Sequence, residues 1–236
     1  MFKKIKRYIY KLTHPIIGEI WQLHRVTPYV TSQSIYKDYD IPPEYLERII
    51  IEYQCKGYVF ISMDELINNF DKYKREKNKF VCITLDDGYE DNLIYAYPIF
   101  EKYNCPFLIY VTTGYLEGMV KPRNNEECSM LSVGQLLRIN KSPLCTIGCH
   151  TVTHPHLSTL DINAQKSEIL ESKKILESWL GEKVNHFAYP YGDYNSISLE
   201  ILKMSEFSTA VAAWGGGMRE LKSIFEIPRV LIKQEY

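Results

Sequence analysis

Two adjacent carboxylates, Asp86 and Asp87, directly follow the apolar strand-like run VCITL and precede Gly88. The pattern places both acids at the carboxyl end of a buried strand, which is where the active sites of (β/α) barrels lie. Asp-Gly is also common turn chemistry, so this segment alone is weak evidence for a site. A metal ion would explain the pair, because it can take one carboxylate as a ligand and leave the other as a base.

Two histidines, His150 and His154, follow a second strand-like run, CTIGC. One helical turn over these residues would bring both imidazoles to one face. A lone histidine in such a place is more often a satisfied polar residue than a ligand, but two at this spacing, downstream of an acidic strand end, favour a metal site. His156 lies just beyond and has no such partner, so we interpret it as a surface residue.

Extended and helical patterns alternate from about Pro42, as expected for repeated βα units around a largely parallel sheet. Pro42 and Pro43 open one helix, which stops near Gly57, and a longer helix covers about 162–180. Seven extended runs with intervening helices favour an α/β barrel over an open sheet, namely residues 58–61, 80–85, 107–111, 145–149, 186–189, 209–213 and 223–227.

These motifs resemble those of the polysaccharide deacetylase family, carbohydrate esterase family four. Residues 84–88, TLDDG, look like that family's T-F-D-D-G, and residues 150–154, HTVTH, look like its H-[ST]-x-x-H. Both occur in the family's order, and both follow strands. The resemblance spans roughly His24 to Arg229, and it implies a distorted (β/α) barrel with about seven parallel strands.

The resemblance also implies roles for the residues of the two motifs. Asp86 is then the catalytic base, while Asp87, His150 and His154 bind a divalent metal. That metal is commonly zinc, with cobalt, nickel, iron and manganese as alternatives. A metal with three protein ligands keeps an open position for water, which it acidifies.

A third family motif, R-x-P-Y-G, reads Ala188-Tyr189-Pro190-Tyr191-Gly192 here and lacks its arginine. The Y-P-Y-G form resembles a branch that includes poly-N-acetylglucosamine deacetylases, in which Tyr191 would offer its backbone N–H to the developing oxyanion. Tyr189 and Tyr191 are also predicted to contact substrate, with an aromatic packing element in a strand and turn as the alternative for Tyr189. Arg229 resembles an arginine common in this branch and is predicted to replace the missing one near Asp86.

The family's C-terminal L-x-H motif, which supplies a general acid, is missing, since no histidine follows His186. Residues 23–26, LHRV, resemble the Y-H-x-V segment that supplies this histidine in the rearranged branch. We therefore predict that His24 is the general acid, against the alternative of a histidine that caps a strand end. Trp214, which precedes three glycines, is the aromatic residue that we predict to form a wall of the pocket.

The net charge of −1, from 28 basic and 29 acidic residues, provides no broad basic field, so a nucleic-acid partner is not expected. Residues 1–18 are predicted to form a basic amphipathic helix, and residues 19–236 a single catalytic domain. The helix could pack on the domain or attach weakly to an anionic membrane face. Without the pattern of a secretory signal, we expect a cytoplasmic protein, peripheral to the inner membrane face if the helix attaches.

Together these features predict a metal-dependent hydrolase that removes N-acetyl groups from a glycan containing N-acetylhexosamine. An O-acetyl esterase or a non-sugar amidase on the same scaffold would need the same metal, base and acid. A catalytically silent carbohydrate-binding module is the third alternative, but Asp86 argues against it, because a binding module needs no base beside its metal.

Overall fold

We describe the fold from a computed structural model, in which residues 15–29, 39–76, 78–116 and 128–234 are described. Of the basic helix predicted over residues 1–18, residues 1–14 lie outside the described residues. Residues 15–17 are not helical, and the first strand begins at Gly18. Among the described residues, no helix combines the length and the apolar character needed to cross a bilayer.

The described residues contain ten strands, most of them short. They are β1 Gly18–Leu23, β2 Arg25–Val26, β3 Asp40–Ile41, β4 Val59–Phe60, β5 Phe80–Leu85, β6 Phe107–Val111, β7 Cys145–Cys149, β8 His186–Ala188, β9 Thr209–Val211 and β10 Val230–Leu231. Seven form one parallel sheet in the order β10-β1-β5-β6-β7-β8-β9, and β4 pairs with the first residues of β5. The α/β class and the seven-stranded parallel arrangement are therefore confirmed.

Six α-helices lie between these strands in the described part of the chain. They are α1 Pro43–Cys55, α2 Met63–Glu76, α3 Tyr97–Lys102, α4 Val133–Ile139, α5 Ile162–Leu180 and α6 Ser196–Met204. Helix α5 has the predicted bounds, because Asp161 caps its first amides and Gly181, at φ 72°, takes the left-handed conformation that ends it.

The last segment of the chain joins the two edges of the sheet. Ile227 exchanges hydrogen bonds with the backbone of residues 210 and 212, which belong to or follow β9. Three residues later, Val230 pairs with Trp21 of β1. One stretch of five residues thus contacts β9 at one edge of the sheet and supplies β10 at the other, and the sheet curls into the distorted barrel that was expected.

Two of the strand predictions were wrong. Residues 223–227 were predicted as the last strand, but only Ile227 forms a bridge, and the strand follows at 230–231. The interruption has a local cause, since Pro228 has no amide hydrogen to donate to a ladder. The second error was an omission: β1 was not predicted, although it pairs along its whole length with β5.

Strand β5 sets the two faces of the sheet. All six of its residues are buried, and Phe80, Cys82 and Thr84 share one face because side chains alternate along a strand. Phe80 and Cys82 pack in the cluster that includes Tyr110, whereas Ile83 packs in the larger cluster under the helices. Asp86 continues the alternation of Phe80, Cys82 and Thr84. Its side chain therefore lies on the same face of the sheet, just beyond the carboxyl end of β5.

Candidate metal and catalytic site

Asp86 and Asp87 line the same cavity, of about 190 Å³, at the carboxyl end of the barrel. Consecutive residues of a regular strand would point to opposite faces. The alternation ends here because Asp87 has a φ of 74°, and Gly88 follows with a φ of 87°. Both carboxylates are about 1% exposed. Two acids this deeply buried require compensating partners.

Asp87, His150 and His154 form a cluster suited to a metal ion. One ligand atom from each lies within 4.8 Å of the other two, and all three residues are buried. The Asp87 Oδ1 atom is 3.8 Å from His150 Nε2 and 3.3 Å from His154 Nε2. One carboxylate and two imidazoles form a donor set typical of catalytic zinc sites, which leave one position open.

The orientation of His150 supports this interpretation. Its Nδ1 atom is 2.8 Å from the carbonyl oxygen of Ala188, which fixes Nδ1 as the donor and leaves Nε2 to face Asp87. A hydrogen bond of this kind orients most metal-binding histidines. Burial lowers the pKa of His150, although Asp86 and Asp87 act in the opposite direction. The ring is therefore held neutral, as a metal ligand must be.

The connection between the two histidines differs from the expected helical turn. Residues 151–154 are not helical, and both Thr151 and His154 have positive φ angles, of 66° and 59°. The Thr151 hydroxyl oxygen accepts a hydrogen bond from the His154 amide at 3.0 Å. The imidazoles still meet, with ring centroids 4.8 Å apart, but a tight irregular loop brings them together.

Arg229 is in direct contact with Asp86, as the sequence predicted. Its Nη1 and Nη2 atoms donate to the two carboxylate oxygens at 2.7 and 2.8 Å. The guanidinium is fixed in turn by bonds from Nε to the Ala212 carbonyl and from Nη1 to the Thr84 hydroxyl. Gln22 donates a further bond to Asp86 Oδ2 at 2.9 Å. The carboxylate is therefore held rigidly on one side.

These contacts determine the charge state of Asp86. Burial alone would raise its pKa, but Arg229, His150 and His24 together hold the pKa well below the usual range for an aspartate. The group consequently stays ionised at neutral pH, which a proton acceptor requires. Arg229 is itself only 1% exposed, so the ion pair is buried on both sides.

His24 lies beside Asp86 in the same cavity, with its Nε2 atom 3.9 Å from Asp86 Oδ2. Its ring packs edge-on against Tyr39 at 4.8 Å, and its side chain remains 13% exposed. The geometry agrees with the predicted general acid, since a donor at this place reaches both the carboxylate and the open cavity.

The backbone around His24 is fixed by buried polar groups. Asn92 donates to the His24 carbonyl at 2.9 Å, and Arg25 Nε donates to Asp91 at 2.8 Å. Burial raises the pKa of Asp91 to about 6, although Arg25 beside it acts in the opposite direction.

The predicted aromatic residues differ in where they lie. Tyr191 and Trp214 line the cavity and are 51% and 63% exposed, so both are available to a ligand. Tyr189 is not, and its assignment as a substrate-binding residue was wrong. Its side chain is fully buried, and its hydroxyl donates to the Phe225 carbonyl at 2.9 Å. Its ring stacks on Tyr194, so Tyr189 is a packing residue.

Tyr191 adopts a φ of 59°, which is unusual for a residue other than glycine. Its ring lies 4.5 Å from that of His154 and is stacked at 4.0 Å on His156. His156 is a surface residue, as expected, but its stacking against Tyr191 was not foreseen.

Two residues of the site were missed from the sequence. Gln22 lies in the strand that was not predicted, and a single buried glutamine has no local signature. Tyr39 lines the cavity against His24 but stands in a segment without periodicity. Neither position could have been selected without knowing which strands pair.

Residues 73–210, more than half of the chain, match the family model described as polysaccharide deacetylase. The match contains both motifs and Tyr191 but neither His24 nor Arg229, which come from outside it.

Individual relatives extend over more of the chain. The poly-beta-1,6-N-acetyl-D-glucosamine N-deacetylase of Staphylococcus aureus (strain MRSA252) is 25% identical over 219 residues, which are 88% of this chain and 72% of that protein. The Bacillus subtilis (strain 168) protein YxkH, named provisionally as a polysaccharide deacetylase, is 26% identical over 179 residues. That match covers 75% of this chain and 60% of YxkH, so the chain spans less than two thirds of that relative.

Among solved structures, IcaB from Ammonifex degensii is similar, with 25% identity and a TM-score of 0.76. The superposition covers 91% of both chains.

Proposed function

Because this chain belongs to the polysaccharide deacetylase family, we propose that it is a metal-dependent hydrolase that removes N-acetyl groups from a glycan containing N-acetylhexosamine. One observation carries the proposal: the buried cluster of Asp87, His150 and His154 lines the same cavity as the ionised Asp86. A binding module would need no second, ionised carboxylate held beside its metal ligands.

We propose that Asp87, His150 and His154 hold a divalent ion, with zinc first and cobalt, nickel, iron or manganese as alternatives. The two imidazoles and one carboxylate suit zinc chemically. An ion held by these residues would supply Lewis-acid chemistry, polarising the acetyl carbonyl and lowering the pKa of water to roughly 7.

In this mechanism Asp86 accepts the proton from the attacking water. Its ionised state, held by Arg229 and Gln22, keeps the acceptor oxygen unprotonated before each turnover. Tyr191 would donate its backbone N–H to the oxygen that develops negative charge, in the manner of an oxyanion hole.

His24 then protonates the departing amine. An amide nitrogen that leaves without a proton would leave as an anion and is a very poor leaving group, so this step requires a proton donor close to the site of attack. The short distance between His24 Nε2 and Asp86 Oδ2 allows both groups to act on the same acetamido group of the substrate. The exposed rings of Tyr191 and Trp214 offer apolar surfaces to a sugar at the mouth of the cavity. Acetate and a free amino sugar are the products.

The substrate class is tested by measuring acetate release from a panel of glycans. Oligomers of β-1,6-linked and β-1,4-linked N-acetylglucosamine are compared with an O-acetylated glycan and a non-sugar acetamide. Preferential release from an N-acetylated oligomer supports the proposal. Release from the O-acetylated glycan or the simple acetamide alone would instead support an esterase or amidase on the same scaffold.

We also propose that the basic residues near the amino terminus attach the protein weakly to an anionic membrane face, from the cytoplasmic side. Five of the first twelve residues are basic and none is acidic. Such a segment binds anionic lipid through its charge and apolar face. Co-sedimentation with anionic but not with neutral vesicles supports the attachment, and equal recovery with both contradicts it.

A further inference from the structure

The loop between His150 and His154 determines where the two imidazoles stand relative to Asp87. Its backbone is unfavourable on its own, because Thr151 and His154 both have positive φ angles. A threonine in this region costs free energy that surrounding contacts must offset. The loop also lacks regular secondary structure, so its amides need partners from elsewhere.

Glu168, on helix α5, supplies these partners. Its Oε2 atom accepts hydrogen bonds from the amides of Val152 and Thr153, both at 2.9 Å. Its Oε1 atom accepts a third bond from the Thr153 hydroxyl at 2.7 Å. One carboxylate therefore holds two successive residues of the loop, and bonds to a charged acceptor are stronger than neutral ones.

The opposite side of the loop is held by the turn after β6. The amides of Thr113 and Gly114 donate to the carbonyls of Thr151 and Val152, at 3.1 and 2.8 Å. A side chain at Gly114 would place its Cβ 2.5 Å from the Val152 carbonyl oxygen, so the approach is as close as a glycine allows. The loop is thus fixed between a turn that donates to it and a carboxylate that accepts from it.

Helix α5 is a firm support for that carboxylate. Ile169, the residue after Glu168, is fully buried, as is Leu176 two turns further on. The helix is capped at both ends. A shift of the loop would therefore require breaking the Glu168 bonds rather than moving the helix.

We propose that Glu168 is a positioning residue for the metal centre, which holds His150 and His154 at the spacing needed to bind an ion. This inference rests on the metal site proposed above. Groups that orient metal ligands typically contribute about 10–100-fold to metal affinity or activity. We expect a loss in that range for zinc binding when Glu168 is replaced by alanine.

The experiment compares Glu168→Ala with Glu168→Gln, Thr153→Val and the parent protein. Zinc affinity is measured by competition with a chromophoric chelator, and the visible spectrum of the cobalt form reports the coordination geometry. Glu171→Ala is the matched control, because Glu171 is an exposed glutamate one turn further along the same helix. Thermal unfolding of each metal-free protein is measured in parallel.

The expected order of zinc affinity follows from the bonds that each variant keeps. Glu168→Gln retains an oxygen for the two amides and should lose less affinity than Glu168→Ala, while Thr153→Val loses one bond only. The cobalt spectrum should change in Glu168→Ala and stay unchanged in Glu171→Ala. If Glu168→Ala does not fold, the zinc affinities and cobalt spectra of Glu168→Gln and Thr153→Val are compared with those of the parent and of Glu171→Ala instead.

Equal zinc affinities and equal cobalt spectra in the parent and the Glu168 variants would overturn the inference while leaving the proposed function intact. A lower melting temperature of the metal-free variants without any change in affinity would also overturn it, since Glu168 would then only support the fold. If the parent itself bound no metal, the proposed metal centre and this inference would fall together.

Discussion

Replacement of Arg229 by methionine tests the link between the fold and the chemistry. Methionine occupies a similar volume but makes none of the four hydrogen bonds of the guanidinium to Asp86, Thr84 and Ala212. Asp86 would remain 1% exposed, with Gln22 as a neutral donor in place of a charged partner. The change therefore leaves a buried carboxylate without its counter-ion.

The expected loss of stability is large. Removing one partner of a buried ion pair destabilises a protein by about 3–5 kcal/mol. For a chain of 236 residues, each kcal/mol shifts the melting temperature by roughly 2–4 °C, so a decrease of roughly 6–20 °C is expected. Arg138→Met, at an exposed position on α4, is the matched control and should change the melting temperature little.

The pH dependence should change in a defined direction. In the parent protein the pKa of Asp86 is lowered, so its ionisation stabilises the fold above the unfolded-state pKa of about 4. That contribution is lost as the pH falls through the still lower folded-state pKa. Without Arg229 burial raises the pKa, so acid unfolding and the acid limb of the activity profile should both move to higher pH.

These changes are measured by calorimetry and by acetate release as a function of pH. Arg229→Lys keeps a positive charge but cannot form the paired bonds of a guanidinium, so it should lie between the parent and the methionine variant. An Arg229→Met protein with unchanged melting temperature and unchanged acid limb would refute the reasoning, because the ion pair would then determine neither stability nor charge state.

Three further predictions concern the metal and the proton transfers. His150→Ala combined with His154→Ala should abolish binding of about one divalent ion, and undiminished metal by elemental analysis would contradict the ligand assignment. Asp86→Asn should keep the metal but lose nearly all turnover, and near-parental rates in the metal-loaded protein would indicate a base elsewhere. His24→Ala should lower kcat by about 10²–10⁴-fold with metal content unchanged, while a substrate with an activated leaving group is hydrolysed almost normally. Equal slowing of both substrates in steady-state assays would count against His24 as the acid.

Much of the fold could be predicted because several elements carry local signals. Helix α5 was predicted with its observed bounds, since apolar periodicity and a glycine stop mark it in sequence. Strands β5, β6 and β7 are mostly apolar runs without charged residues, as buried parallel strands are. The strand ends then indicated where the acids and histidines would meet.

Elements whose burial depends on distant partners could not be predicted from local sequence signals. Strand β1, GEIWQL, contains Glu19 and Gln22, and the burial of Gln22 makes sense only with Asp86 as its acceptor. The irregular loop between the metal-binding histidines was predicted as a helical turn for a similar reason. Its shape depends on Glu168, 16 residues after Val152, and on the turn at Gly114, and both partners lie outside the histidine motif itself.

Asp86 receives its contacts from the two segments that close the barrel. Gln22 and His24 belong to or follow β1, and Arg229 immediately precedes β10, which pairs with β1. A strand end alone would supply a buried carboxylate with a raised pKa, because desolvation disfavours its charge. When β1 and β10 lie side by side, Arg229 and His24 join His150 around that carboxylate, and together they lower its pKa. The pairing of β1 with β10 that closes the barrel thus also places the groups that keep Asp86 ionised. A change that separates β1 from β10 should therefore reduce activity even if the metal ligands stay in place.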